Sequence, residues 1–220
     1  EAKCPSASLL AQRHWEVAMA GITRPARNTG ELDPRLLATP FADETNWHVL
    51  TGAPSSGKTT LLDSLAEKGS RAVEEGARRF MEEEVASGLT IDAIHERPAA
   101  LQHQLLDVQK GIEAGLRPAD VAFLDGAIPH ALAWYRLFGL DPNEVLPDCF
   151  RYRYASIFVL DPLPLERDGL RFEDESVVRF LDEWIERDFA ALGYSVLRVP
   201  VMAPEDRLAY VLERVPAPTV

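Results

Sequence analysis

Residues Gly52, Ala53, Pro54, Ser55, Ser56, Gly57, Lys58 and Thr59 fill the pattern GxxxxGK[ST]. They lie between an apolar run at 47–50 and a helix-like segment at 59–66. That context, strand then tight loop then helix, is what a phosphate-binding loop requires. Gly52 and Gly57 permit the backbone angles that turn successive N–H groups inward as an anion nest, at the positive end of the following helix. Lys58 supplies a point charge to the β- and γ-phosphates, and the Thr59 hydroxyl can ligand Mg²⁺. Nucleotide binding by residues 52–60, Thr60 included, is the primary expectation.

The chain has 220 residues, enough for one α/β domain with a short extension. Its net charge of −12 argues against nucleic acid as a partner, because phosphate backbones are bound by clustered Lys and Arg. A nucleotide needs only a local positive pocket. No run of eighteen or more apolar residues suggests a membrane span. Cys4 and Cys149 make neither a disulfide framework nor a zinc site, and a reducing cytoplasm is the simplest compartment.

From Trp47 onward apolar strand, turn and amphipathic helix alternate. The expected strands are 47–51, 71–74, 121–125, 155–160 and 195–200, which predicts a parallel sheet covered by helices on both faces. Between 174 and 192, Val177, Val178, Leu181, Trp184, Ile185, Phe189 and Leu192 recur at three- and four-residue spacing, the stripe of a core helix. The polar runs 82–84 and 102–104 read as solvated helix faces. Residues 1–45, with a short helix in 1–20, form an N-terminal extension, and 46–220 form the main domain.

Asp125 ends the apolar run 121–125 at the edge where open α/β sheets bind ligands. It either holds Mg²⁺ through water, accepts the proton of an attacking hydroxyl, or caps the helix beginning near Ala127. Glu74 and Glu75 end the short second strand at the same edge. They either bind a substrate hydroxyl or a metal-bound water, or suit the dipole of the helix that follows. Residues 161–174 read as a lid, in which Arg167 and Arg171 either clamp the γ-phosphate or are neutralised by neighbouring acids. Arg78, Arg79, Arg151 and Arg153 are weaker candidates. His130, five residues after Asp125, reads as structural.

With these residues in place, 46–215 resembles the P-loop "predicted ATPase" group related to small-molecule kinases such as the nicotinamide riboside kinase domain. The resemblance is carried by TGAPSSGKTTLLDSLAEKG, EEGARRFMEEE, VAFLDGAIPHALAWYRLFGLDP, LDPLPLERDGLRFEDE leading into a long helix, and RVPVMAPEDRLAYVLERV, in that order. It implies a P-loop NTPase fold with strand order 2-3-1-4-5, phosphates at 52–59, an acid near the third strand and arginines in the lid. One departure stands out. The group usually shows Asp-Arg-Gly where this chain has Asp125, Gly126 and Ala127, so the acceptor-side arginine is missing; Arg136 or Arg78 are substitutes to examine.

The expected activity is therefore Mg²⁺- and ATP-dependent phosphotransfer to a small hydroxyl-bearing molecule. ATP is chosen by default, since no base-reading segment for guanine is visible. Lys58 and the loop would hold the donor, Asp125 or Glu75 would orient the acceptor, and Arg167 or Arg171 would neutralise the transferred group. The competing expectation is a nucleotide-dependent switch or binding module acting on a protein partner.

Overall fold

The computed structural model describes residues 26–77, 79, 80, 83, 98–163 and 175–216. The strands are β1 (Asp43–Glu44), β2 (Trp47–Thr51), β3 (Ala72–Val73), β4 (Ala122–Asp125), β5 (Tyr152–Arg153), β6 (Ser156–Leu160) and β7 (Val196–Val199). The helices used below are α1 (Pro34–Leu37), α2 (Lys58–Glu67), α3 (Pro98–Ala114), α4 (His130–Leu137), α5 (Leu146–Cys149), α6 (Glu175–Ala191) and α7 (Pro204–Leu212).

Five strands lie side by side, all parallel, in the order β3-β4-β2-β6-β7. Numbered within this sheet along the chain, that is the 2-3-1-4-5 order implied by the resemblance. The central strands β2, β4 and β6 are buried at every position, which is why they read as continuous apolar runs and not as alternating ones. Alternate residues serve opposite faces. Val49 and Leu124 join a core with Tyr135, Leu181 and Phe189, under α4 and α6. Leu50 and Phe123 join a second with Leu61, Leu65, Leu160 and Val211, under α2 and α7. His48, also within β2, is buried and shares a hydrogen bond of 2.8 Å with Ser156 Oγ. Burial holds its pKa down at about 4, so it enters the core neutral.

A second sheet pairs β1 with β5 in parallel over two residues. No apolar pattern announces it, because Asp43 and Glu44 are exposed and their backbone pairs with 151–153. Before it, Leu32 enters the core and Asn28 donates its backbone N–H to Arg136 O, so the stretch from residue 26 is packed on α4. The register sets the site: Leu50 lies opposite Asp125, and the Gly126 N–H donates to Leu50 O at 2.9 Å. The carboxyl ends of β2 and β4 are therefore level, and the loop leaving β2 meets the acid leaving β4.

Candidate active site

The loop between β2 and α2 has the backbone its sequence requires. Gly52 and Gly57 have φ of 142° and 84°, and Ser55 is the one non-glycine residue with positive φ among the described residues, at 59°. Ala53 and Ser56 are buried, Pro54 and Ser55 half-buried, and Thr60 is exposed in the first turn of α2. Gly52 is demanded twice over, since a Cβ there would lie 2.7 Å from Leu160 O on β6 as well as facing an unfavourable φ. Gly52→Ala is expected to cost about 1–3 kcal/mol in urea denaturation and to weaken nucleotide binding, as the loop is forced off β6. An unchanged midpoint and affinity would show that the loop has slack there.

Lys58 Nζ donates to the carbonyls of Gly52 at 3.1 Å and Ala53 at 3.0 Å, and to Ser56 Oγ at 3.4 Å. Its charge is thus held over the loop at the amino end of α2. Thr59 Oγ1 lies 3.5 Å from Asp125 Oδ2, bringing the two residues expected at a cation onto one locus. The capping alternative for Asp125 is not realised: Pro129 occupies the cap of α4, which receives no side-chain hydrogen bond.

Beside Asp125 a cleft opens between α3 and α4. Glu75 lines it from the end of β3, while Glu74 is exposed. Leu105, Leu106 and Trp134 make apolar wall, and Gln102, Gln109 and His130 add polar groups. The polar run 102–104 is thereby corrected for one residue: Gln102 is 4 % exposed and faces the cleft, whereas His103 pairs with Glu144 at 3.1 Å near the surface. His130, read as structural, stands in the cleft wall as well.

Other arginine candidates lie elsewhere. Arg79 pairs with Glu83 on the surface, Arg151 with Asp148, and Arg153 with Glu44 while covering the Phe41 ring. Arg136 is buried against Asp188 and cannot stand in for an acceptor-side arginine. Arg78, Arg167 and Arg171 lie outside the described residues, as does the expected lid beyond Leu163 and the helix expected within residues 1–20.

Two supporting residues escaped the sequence reading. Arg207, on α7, is 4 % exposed and donates to Ser56 O at 2.5 Å, Pro200 O at 2.9 Å and Asp161 O at 3.1 Å. It ties the phosphate loop to the ends of β6 and β7. Burial lowers its pKa, with Asp161 opposing, yet an arginine stays charged. Its position four residues before the buried Val211 places it on the inward stripe of α7, and that spacing was the available signal.

Glu113, fully buried on α3, accepts from Ile128 N at 2.8 Å, Gln109 Nε2 at 2.9 Å and the Tyr154 hydroxyl at 2.7 Å. It thereby fixes the turn that runs from Asp125 to His130. Burial raises its pKa to about 6, against the hydrogen bonds that lower it. The folded state thus holds this proton more tightly than the unfolded chain. The resulting stabilisation is fully present below pH 4.5 and is lost as pH rises through about 6, a swing of about 2 kcal/mol. The stability of the native protein relative to Glu113→Gln is therefore expected to fall by about that amount between pH 4 and pH 8. A pH-independent difference would refute it.

Against known proteins, residues 47–207 match a family model described as AAA domain. No curated protein matches the chain. Among solved structures, the NadR protein in complex with NR is 21 % identical with a TM-score of 0.58, over 80 % of this chain and 53 % of that one. NadR in complex with NAD and AMP-PNP is 21 % identical with a TM-score of 0.55, over 80 % and 51 %. Thymidylate kinase from Ehrlichia chaffeensis is 18 % identical with a TM-score of 0.53, over 76 % and 96 %. The chain spans about half the length of the NadR chains it matches. At these identities the likeness is one of fold, and it bears out the parallel five-stranded α/β sheet read from the sequence. With the match covering 47–207 and the phosphate loop inside it, the chain belongs to the AAA_28 family of P-loop AAA domains.

Proposed function

We propose that the protein is a Mg²⁺-dependent phosphotransferase that moves the γ-phosphoryl group of a nucleoside triphosphate, by default ATP, to a hydroxyl of a small molecule. The observation that carries this reading is the double position of Asp125. It lies 3.5 Å from the Thr59 hydroxyl on the phosphate side and lines the cleft on the other. A donor loop and an acceptor cleft sharing one carboxylate is the layout of a transfer site.

The residues fit the cation. Thr59 and Asp125 offer hard oxygen ligands, suited to an ion that keeps most of its shell as water and phosphate oxygen. When bound, Mg²⁺ would neutralise charge on the β- and γ-phosphates. The loop amides of 52–60 and Lys58 hold the triphosphate, with the Lys58 ammonium exchanging the Gly52 and Ala53 carbonyls for phosphate oxygens. Asp125 or Glu75 orients the acceptor hydroxyl. As its oxygen bonds to the γ-phosphorus, the bond from that phosphorus to the β–γ bridging oxygen breaks, and the hydroxyl proton passes to Asp125 and then to water. Arg167 and Arg171 are proposed to neutralise the transferred group.

The test is product analysis with Mg²⁺ and γ-labelled ATP in the presence of nucleosides, sugars and cell-extract metabolites. Label recovered on an acceptor is the expected result. Label released only as inorganic phosphate, equally with and without acceptors, would replace this reading by that of a nucleotide-dependent switch.

A further inference from the structure

The α4 wall of the cleft presents His130, and its neighbour fixes how that ring is protonated. The Trp134 indole N–H donates to His130 Nε2 at 3.2 Å, and an indole nitrogen only donates. Nε2 is therefore the lone-pair nitrogen, the ring is neutral, and its proton sits on Nδ1. Burial, and then the charge of Lys58, hold the pKa down at about 3, so this state persists at neutral pH. Nδ1 lies against Gly126, where an added Cβ would be 3.1 Å away. Gly126 also has φ of 76°, so the residue after Asp125 is glycine for two reasons, and one is to admit this ring. On α3, Gln102 lines the same cleft, and its buried amide nitrogen has no hydrogen-bond partner among the described residues. The described residues lining the cleft include Glu75 and Asp125 but no Lys or Arg.

Building on the phosphotransferase reading, we infer that His130 Nδ1–H and the Gln102 amide form the donor side of the acceptor site. They bind oxygens of an uncharged, hydroxyl-rich acceptor whose reacting O–H faces Asp125. Neutral donors flanked by two carboxylates satisfy hydroxyl lone pairs, and the described lining residues hold no cation to compensate a phosphate for lost water, so acceptors already phosphorylated bind more weakly.

The full chain, labelled with ¹⁵N-histidine and saturated with Mg²⁺ and AMP-PNP, reports on this directly through long-range ¹H–¹⁵N spectra, with His130 identified by its loss in His130→Asn. The probes are adenosine, uridine, D-ribose and D-glucose, each beside its monophosphate. The expected result is a protonated Nδ1 and bare Nε2 at pH 7, with at least one uncharged probe shifting the Nδ1 signal saturably and its monophosphate binding at least ~10-fold more weakly. For that probe, His130→Asn, which keeps an N–H in the place of Nδ1, should stay within ~3-fold in Kd, while His130→Leu loses ~10-fold or more. A protonated Nε2, no shift with any uncharged probe, equal binding of the monophosphate, or equal loss in the Asn and Leu variants would each overturn the inference. A probe that shifts Nδ1 and is never phosphorylated would instead sink the phosphotransferase reading and leave the donor site standing.

Discussion

Asp125→Asn is expected to slow phosphoryl transfer by ~10²–10⁴-fold while the protein stays folded. Asparagine fills the same volume and keeps an oxygen 3.5 Å from Thr59 Oγ1, so the end of β4 need not rearrange. What it lacks is the negative charge that suits a cation and the basicity that takes the hydroxyl proton. The two losses separate kinetically. If Asp125 acts as the base, single-turnover rates fall at saturating Mg²⁺ and nucleotide affinity is preserved. If it serves the cation alone, added Mg²⁺ recovers much of the rate. A rate equal to that of the native protein would remove Asp125 from the mechanism, and the capping role would not rescue it, since the cap of α4 is formed without it.

The donor half of this site was legible in the sequence because it is local. Eight consecutive residues specify the loop, and a strand ending in Asp125 specifies the acid, so spacing along the chain is also spacing in the fold. The parallel sheet follows from the same alternation of strand and helix, whereas its strand order came from the family resemblance. The acceptor half is assembled from separate elements, with Glu75 after β3, Gln102 on α3 and His130 on α4, and no short motif links them. Gln102 looks like part of a polar, solvated run until tertiary packing covers it. His130 reads as a lone structural histidine because its tautomer is set by Trp134 and its room by Gly126. The Asp125-Gly126 departure, seen in the sequence only as a missing arginine, thus has a local physical reason. Any side chain at 126 would meet both a positive φ and the imidazole.

Arg136 shows the opposite failure, a residue whose sequence position near the acid suggested a role that packing denies it. Its guanidinium makes three hydrogen bonds of 2.9–3.2 Å to Asp188 on α6, one of 2.6 Å to Gly30 O, and lies 4.2 Å from the centre of the Trp184 ring. Both partners are almost fully buried, at 1 % and 2 % exposure. Burial raises the Asp188 pKa and Arg136 opposes that rise, so removing the arginine leaves a buried carboxylate to be protonated or hydrated. Arg136→Met is expected to cost about 3–5 kcal/mol, and to lower Tm by about 10 °C, for a chain of this size. The double variant Arg136→Met, Asp188→Leu should regain much of the loss, because it removes the orphaned charge along with its partner. Transfer rates measured well below the new Tm should be unchanged in both. A variant that kept its Tm and lost transfer would place Arg136 back among the acceptor-binding residues and overturn its assignment as the clasp between α4, α6 and the stretch around Gly30.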